Sequence, residues 1–118
     1  MIQIDFESNN GTFGYFVLID SGADYCIFHA KIGELLGLDI KSGKPLTFYG
    51  TSGEAQKAYF HKVRFRIGGI DHECEVGFSY DMEKLAYGLL GQEGFFNKWI
   101  VKFAYHKENV ELKEIIRR

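Results

Sequence analysis

The run Val17-Leu18-Ile19-Asp20-Ser21-Gly22-Ala23-Asp24 puts a carboxylate at the end of an apolar strand. A charged group in such surroundings asks for a reason, because burial strips the hydration that stabilises it. The neighbours supply one. The apolar strand fixes the backbone, Gly22 permits a tight turn with close approach, and the Ser21 hydroxyl can hydrogen-bond to hold Asp20 rigid. A rigidly held carboxylate is the kind of group that moves protons. The same tripeptide also serves as a plain Asx-type turn after a strand, so by itself it is a weak signal.

Other chemistry-bearing residues are more sparsely placed. His72 and Cys74 alternate along one strand and share a face, a pattern that suits a metal, but no second pair sits at ligand spacing. Cys26 lies three residues before His29, which raises a thiol nucleophile; it also enters an apolar stretch, where a buried free cysteine is the simpler reading. Lys62, Arg64 and Arg66 share a strand face that reads as solvated. Phe95, Phe96 and Trp99 read as core side chains, since nothing around them suggests a base-stacking platform.

The elements that must position these residues are strands. Ile2, Ile4 and Phe6 alternate with polar residues, and Ser8-Asn9-Asn10-Gly11 is a hairpin signal into a second strand, Thr12 to Ile19. The continuous run Phe16-Val17-Leu18-Ile19 predicts burial on both faces. Ala30 to Leu36 predicts a short helix with Ile32, Leu35 and Leu36 on its apolar face and Gly37 just past its end. Pro45 to Tyr49 and Ala55 to Ile67 predict strands around Gly50-Thr51-Ser52-Gly53. Gly68-Gly69 turns the chain into Ile70 to Phe78. Tyr87 to Gly91 is a glycine-punctuated strand, Gln92 to Asn97 has room for a turn or two of helix, and Trp99 to Ala104 with Val110 to Ile115 predicts a closing hairpin.

Composition agrees with a β-rich globular protein. Of 118 residues, 16% are aromatic, 14 are glycine and one is proline, which favours strands and glycine turns over a helical bundle. That length suits a single domain, 1–118. Fourteen basic residues against 16 acidic ones give a net charge of −2, so no basic excess recommends nucleic acid or a membrane surface. Two cysteines are too few for a disulfide scaffold, although one bridge between them stays open. Without a signal-peptide pattern or a bilayer-spanning apolar run, the expected location is cytoplasmic; excision from a longer protein would weaken that expectation.

The segment around Asp20 resembles the active-site loop of the aspartic proteases, in which an apolar strand leads into Asp-Thr-Gly or Asp-Ser-Gly. Its extension to Ala23 and Asp24 resembles the single-domain, retroviral-type (retropepsin-like) members. Three further segments match in the family's order. Tyr49-Gly50-Thr51 resembles the Tyr-Gly-Thr of the pepsin-like flap. Leu89-Leu90-Gly91 resembles the element whose strand threads behind the catalytic loop, and Trp99 to Leu112 resembles the final hairpin. The flap here, Tyr49-Gly50-Thr51-Ser52-Gly53-Glu54, departs from the retroviral glycine-isoleucine-glycine pattern, and Ser21 stands where threonine is commoner.

The resemblance implies a closed, mostly antiparallel β-barrel of the acid-protease type with one or two short helices. It also implies an aspartic endopeptidase. Two carboxylates a few ångströms apart share one proton, so that one activates water while the other protonates the scissile carbonyl. The chain has one such triplet, so the family mechanism requires a homodimer with one Asp20 from each copy. No metal or organic cofactor is needed. On this reading Asp20 is catalytic, Ser21 bonds across the dimer, and Gly22 contacts substrate backbone. Asp24 anchors the peptide main chain, and Tyr49, Gly50 and Thr51 close over a peptide or protein substrate. Two alternatives remain: a catalytically silent peptide-binding or dimerisation module on the same fold, and a processing domain excised from a larger precursor.

Overall fold

A computed structural model of the chain describes residues 1–9, 11–20, 22–49, 53–82, 87–91, 99–104 and 109–114. Among these residues, nine strands and one α-helix follow one another as β1 (Ile2–Ser8), β2 (Gly11–Ile19), β3 (Ile27–His29), α1 (Ala30–Leu35), β4 (Lys44–Tyr49), β5 (Ala55–Ile67), β6 (Ile70–Ser79), β7 (Gly88–Leu90), β8 (Trp99–Ala104) and β9 (Asn109–Glu114). The expected helix over 92–97 and the turn residues Asn10 and 106–108 lie outside the described residues, as do the side chains of Phe95, Phe96 and Trp99.

Six strands close into a barrel in the order β1-β2-β7-β3-β6-β5, and a β1–β5 pairing at Asp5 and Arg66 completes the ring. β4 adds to the outer edge of β5 as a hairpin, and β8 and β9 form a separate two-stranded sheet. The fold is therefore the mostly-β acid-protease-type barrel that the sequence predicted. Most neighbours are antiparallel; β2–β7 and β3–β6 run parallel. Among the described residues, no helix is long and apolar enough to cross a membrane.

The alternation in β1 works as read. Ile4 and Phe6 are fully buried while Gln3 and Glu7 face solvent. In β2 the outcome differs from the expectation. Val17 is fully buried and Leu18 and Ile19 partly so, but Phe16 is 57% exposed. β2 is one stave of a single-layer wall, so only every second residue, here Tyr15 and Val17, reaches the interior. The Gly68-Gly69 turn has φ of +57° and +81°, which two glycines adopt without strain between the paired Ile67 and Ile70.

α1 also departs in one respect. Ala30 and Gly33 form its buried side, Ile32 and Leu36 pack partly against the core, and Leu35 is 59% exposed. A Cβ on Gly33 would collide with the Ile40 side chain and come within 3.0 Å of Phe78, so the helix packs through its smallest residue. Leu35, two residues on, is turned by roughly 200° and points away. The helix ends as predicted: Gly37 takes φ +80°, its N–H donates to Glu34 O at 2.9 Å, and Leu38 N–H donates to Gly33 O at 3.0 Å. That is a Schellman cap. At the other end His29 Nδ1 accepts from Lys31 N–H at 3.0 Å, so this histidine is a helix cap.

Phe28 lies at the centre of the core, fully buried, with its ring 5.3–6.1 Å from those of Phe6, Tyr15, Phe65 and Phe78. Phe28→Ala is expected to cost about 3–5 kcal/mol, read from the denaturant midpoint. Arg64→Ala should barely move that midpoint, because Arg64 pairs with Glu73 at 3.2 Å with its side chain 80% exposed.

Candidate active site

The end of β2 is held by a strand inserted from far along the sequence. β7 runs parallel to β2, pairing Val17 with Gly88, Leu18 with Leu89 and Ile19 with Leu90. The ladder continues one residue further: Asp20 N–H donates to Leu90 O at 2.9 Å. The Asp20 backbone is therefore part of the sheet, while its side chain enters a turn. Gly22 N–H donates to Asp20 Oδ1 at 2.9 Å, and Ala23 N–H donates to Asp20 O at 3.1 Å. One main-chain amide orients the carboxylate, and the turn carries the chain back toward β3. The turn is of the Asx kind, so both sequence readings of the tripeptide describe the same geometry.

Asp20 is partly buried; Gly22 and Asp24 are exposed. A Cβ on Gly22 would stand 3.2 Å from Asp20 Oδ1, so glycine lets the amide approach its acceptor without crowding. Ser21 lies outside the described residues, as do Gly50, Thr51 and Ser52.

Two glycines make the β7 insertion fit. A Cβ on Gly88 would come 2.7 Å from both Phe28 Cδ1 and Tyr15 Cε2. On Gly91 it would come 2.5 Å from Tyr25 O and 2.6 Å from Ala23 O. Gly91 therefore packs directly on the backbone of the segment that follows Asp20. The Leu89-Leu90-Gly91 expectation is met at the level of atoms.

The β4–β5 hairpin extends to the Tyr49–Ala55 pair, with Tyr49 73% exposed at its end and Gly53 at φ +77°. Cross-strand pairing puts Lys44 opposite Phe60 and Leu46 opposite Ala58, on the face that also bears Phe48. Phe48, Ala58 and Phe60 form a small apolar cluster with Ile27 of β3 and Leu89 of β7. This cluster is distinct from the barrel core. Leu89 directly precedes the residue that binds Asp20, so the hairpin packs over β7 and β3 beside the Asp20 turn. β5 is pinned by groups that sequence reading missed. Ser79 Oγ donates to Lys57 O at 2.8 Å, and Lys57 N–H donates to Asp81 Oδ2 at 2.9 Å. Only the topology brings residues 24 positions apart together here; no local pattern announces them.

The competing chemistries do not assemble. His72 is 6% exposed, with its ring 5.3 Å from that of Phe65, as a core aromatic would be. Among the described residues, no group of three or more His, Cys, Asp or Glu side chains is arranged to hold a metal. Cys26 is fully buried and His29 caps α1, so they do not form a thiol–imidazole pair. The Cys74 thiol donates to Cys26 Sγ at 3.7 Å, which answers the open question of a bridge: the two adjoin without a disulfide between them.

Residues 4–93 match the family model described as aspartyl protease, and the chain belongs to this family, one of the retropepsin-like kind. The match spans the Asp20 loop, the β4–β5 hairpin and β7. Neither the search of curated proteins nor that of solved structures returned a match.

Gly91 supplies a direct check on the insertion. Gly91→Ala forces a methyl group into the carbonyls of Ala23 and Tyr25, so it should displace the Asp20 turn. Amide chemical shifts of Gly22 and Ala23 are expected to move strongly in Gly91→Ala and hardly at all in Arg64→Ala, which removes only an exposed side chain.

Proposed function

We propose that this chain is a retropepsin-like aspartic endopeptidase, a single domain over 1–118 that works as a homodimer on extended peptide segments. What carries the reading is the way Asp20 is held, with its backbone in the sheet through Leu90 O and its carboxylate on Gly22 N–H, inside an aspartyl protease family match. One carboxylate cannot both accept a proton from water and donate one to the carbonyl. A second Asp20, brought across a two-fold axis, supplies the missing group. The dyad then holds one proton between two oxygens. The ionised carboxylate takes a proton from water as its oxygen attacks the scissile carbonyl carbon, and the protonated one gives its proton to the carbonyl oxygen. Collapse of the tetrahedral intermediate breaks the C–N bond, with a proton passing to the leaving amine.

The remaining roles are those that the family resemblance implies. Gly22 presents backbone to substrate, Asp24 holds the peptide main chain, and Ser21 stiffens the site across the dimer. The hairpin bearing Tyr49, Gly50 and Thr51 adds main-chain hydrogen bonds to a strand-like peptide, a common mode of peptide recognition. No cofactor enters this mechanism. The partners are peptide and a second copy, in the cytoplasm, with no nucleic acid or membrane surface involved.

Asp20→Asn is nearly isosteric, so the fold should survive. Turnover of an apolar peptide library is expected to fall by roughly 10⁴-fold or to background. Retained cleavage would remove Asp20 from the mechanism. Sedimentation at high micromolar concentration with a statine-type peptide should show a dimer, and a strict monomer would overturn the assembly. Wild-type cleavage should follow a bell-shaped profile on the acidic side, its two limbs belonging to the pair and not to either residue. A dimer that binds peptide without cutting it would identify a silent module.

A further inference from the structure

We propose that Cys26 and Cys74 form a reversible dithiol–disulfide pair, and that its oxidation by a peroxide shifts the Asp20 turn. The pair acts on the turn itself, so it stands apart from the endopeptidase reading.

Two segments far apart in sequence put the sulfurs in contact. Along β6, His72, Cys74, Val76 and Phe78 are buried, the inward half of a period-two strand. Ile27 pairs with Gly77, and Gly77 N–H donates to Cys26 O at 2.9 Å, which sets Cys26 beside Val76. Cys26 is fully buried in the same core. The Cys74 thiol therefore reaches Cys26 Sγ at 3.7 Å, across 48 residues of sequence. A disulfide holds its sulfurs about 2.05 Å apart. The gap of roughly 1.7 Å is one that side-chain rotation and a small movement of the strands can close. The chain has no other cysteine, so an internal bridge is necessarily this one.

The segment that would move has no slack. Gly91 lies so close to the carbonyls of Tyr25 and Ala23 that a Cβ there would come 2.5 and 2.6 Å from them. The Cys26 thiol also donates to Gly91 O, at 4.0 Å. Ala23 N–H holds Asp20 O at 3.1 Å, and Gly22 N–H holds the Asp20 carboxylate at 2.9 Å. Oxidation acts on this layer twice: it removes the thiol hydrogen directed at Gly91 O, and it draws Cys26 toward β6. Both changes fall on residues 23–26, the return arm of the Asp20 turn. Core filling alone needs no sulfur. Here the two thiols form a chain, Cys74 to Cys26 to Gly91 O, that ends on the backbone beside the turn.

Burial selects the oxidant, because only a small uncharged molecule enters the core through local opening. Hydrogen peroxide fits. One cysteine sulfur attacks a peroxide oxygen; the O–O bond breaks, water leaves, and the sulfur becomes a sulfenic acid. The second sulfur then attacks the first. The S–S bond forms, the S–O bond breaks, and the hydroxyl leaves as water with the remaining thiol proton. The pair loses two electrons and the peroxide gains them. A dithiol reductant restores both thiols by exchange.

The test treats the native chain with hydrogen peroxide and then with dithiothreitol, in wild type and in Cys74→Val, which keeps the core filled. In oxidised wild type, digestion should release the Cys26 and Cys74 peptides joined and two hydrogens lighter. The undigested protein should remain a single chain on a non-reducing gel. Amide shifts of Gly22 and Ala23 should move on oxidation and return on reduction. If reduced wild type cuts peptides, oxidation should lower kcat/KM reversibly by ~10-fold or more, as expected for a misplaced carboxylate. Cys74→Val should form no bridge and keep its rate through the same treatment; Cys74→Ala takes its place if it does not fold. A native chain that keeps both thiols, or takes up oxygen on them without bridging, overturns the proposal. So does a bridge that leaves the Gly22 and Ala23 amides where they were. If reduced wild type cuts nothing, the endopeptidase reading fails alone, and the peptide masses and amide shifts still decide the redox pair.

Discussion

The hydrogen bond from Asp20 N–H to Leu90 O is the contact on which the candidate site depends. Strand ends fray because their last backbone groups lack partners, and a carboxylate on a fraying end has no fixed direction. β7 removes that freedom. It is only three residues long, yet it pairs with β2 on one side and β3 on the other, so one insertion ties together both segments that flank the Asp20 turn. The insertion is tight enough that both of its bracketing residues must be glycine. Gly88 clears the rings of Tyr15 and Phe28, and Gly91 clears the carbonyls of Ala23 and Tyr25. The core and the site therefore meet at β7. Leu90 is fully buried in the barrel, while Leu89 faces the hairpin.

This arrangement separates two kinds of apolar surface. The barrel core is filled by aromatic rings around Phe28 and owes its stability to exclusion of water. The smaller cluster of Ile27, Phe48, Ala58, Phe60 and Leu89 lies between the barrel wall and an added hairpin. The hairpin is attached through one edge of β5, and its Ser79 and Asp81 contacts fix it at Lys57, which pairs with Thr47 two residues before Tyr49.

Much of this was legible in the sequence, for identifiable reasons. Period-two alternation located β1 and the second half of β5 because there one face lies in the core and the other in water. Glycine pairs and Gly37 located turns because only glycine takes positive φ without cost. Failures occurred where tertiary context decides. The apolar run 16–19 signalled burial on both faces, but a single-layer wall buries one side, and Phe16 points out. Leu35 looked like core by helical spacing, but α1 packs through Gly33, which leaves Leu35 opposite. The Cys26–His29 spacing went the simpler way that the apolar stretch indicated: Cys26 is buried and His29 caps a helix. Ser79 and Asp81 carried no local signal at all. The positions of Asp20, Gly22 and Leu89-Leu90-Gly91 were legible because the turn and the insertion each require specific residue types at fixed spacing.

Residues 25–27 show how closely stability and recognition are interleaved. Cys26 Sγ lies 3.7 Å from Cys74 Sγ and 4.0 Å from Gly91 O, within the layer that supports the Asp20 turn. Its two neighbours face the hairpin instead. Because side chains alternate, a shift of one residue in the β3–β6 register would carry Cys26 to the hairpin face and drive Tyr25 and Ile27 toward a core with no room for them. Parallel pairing of Ile27 with Gly77 and the Gly77 N–H to Cys26 O bond at 2.9 Å prevent that slip. Gly77 is itself constrained, since a Cβ there would come 2.8 Å from Phe60 and 3.0 Å from Ala58 and Ile27. The glycine that sets the register thus also lets Phe60 and Ile27 settle against the sheet, so the packing of the small cluster follows from the same backbone contact that keeps the core intact.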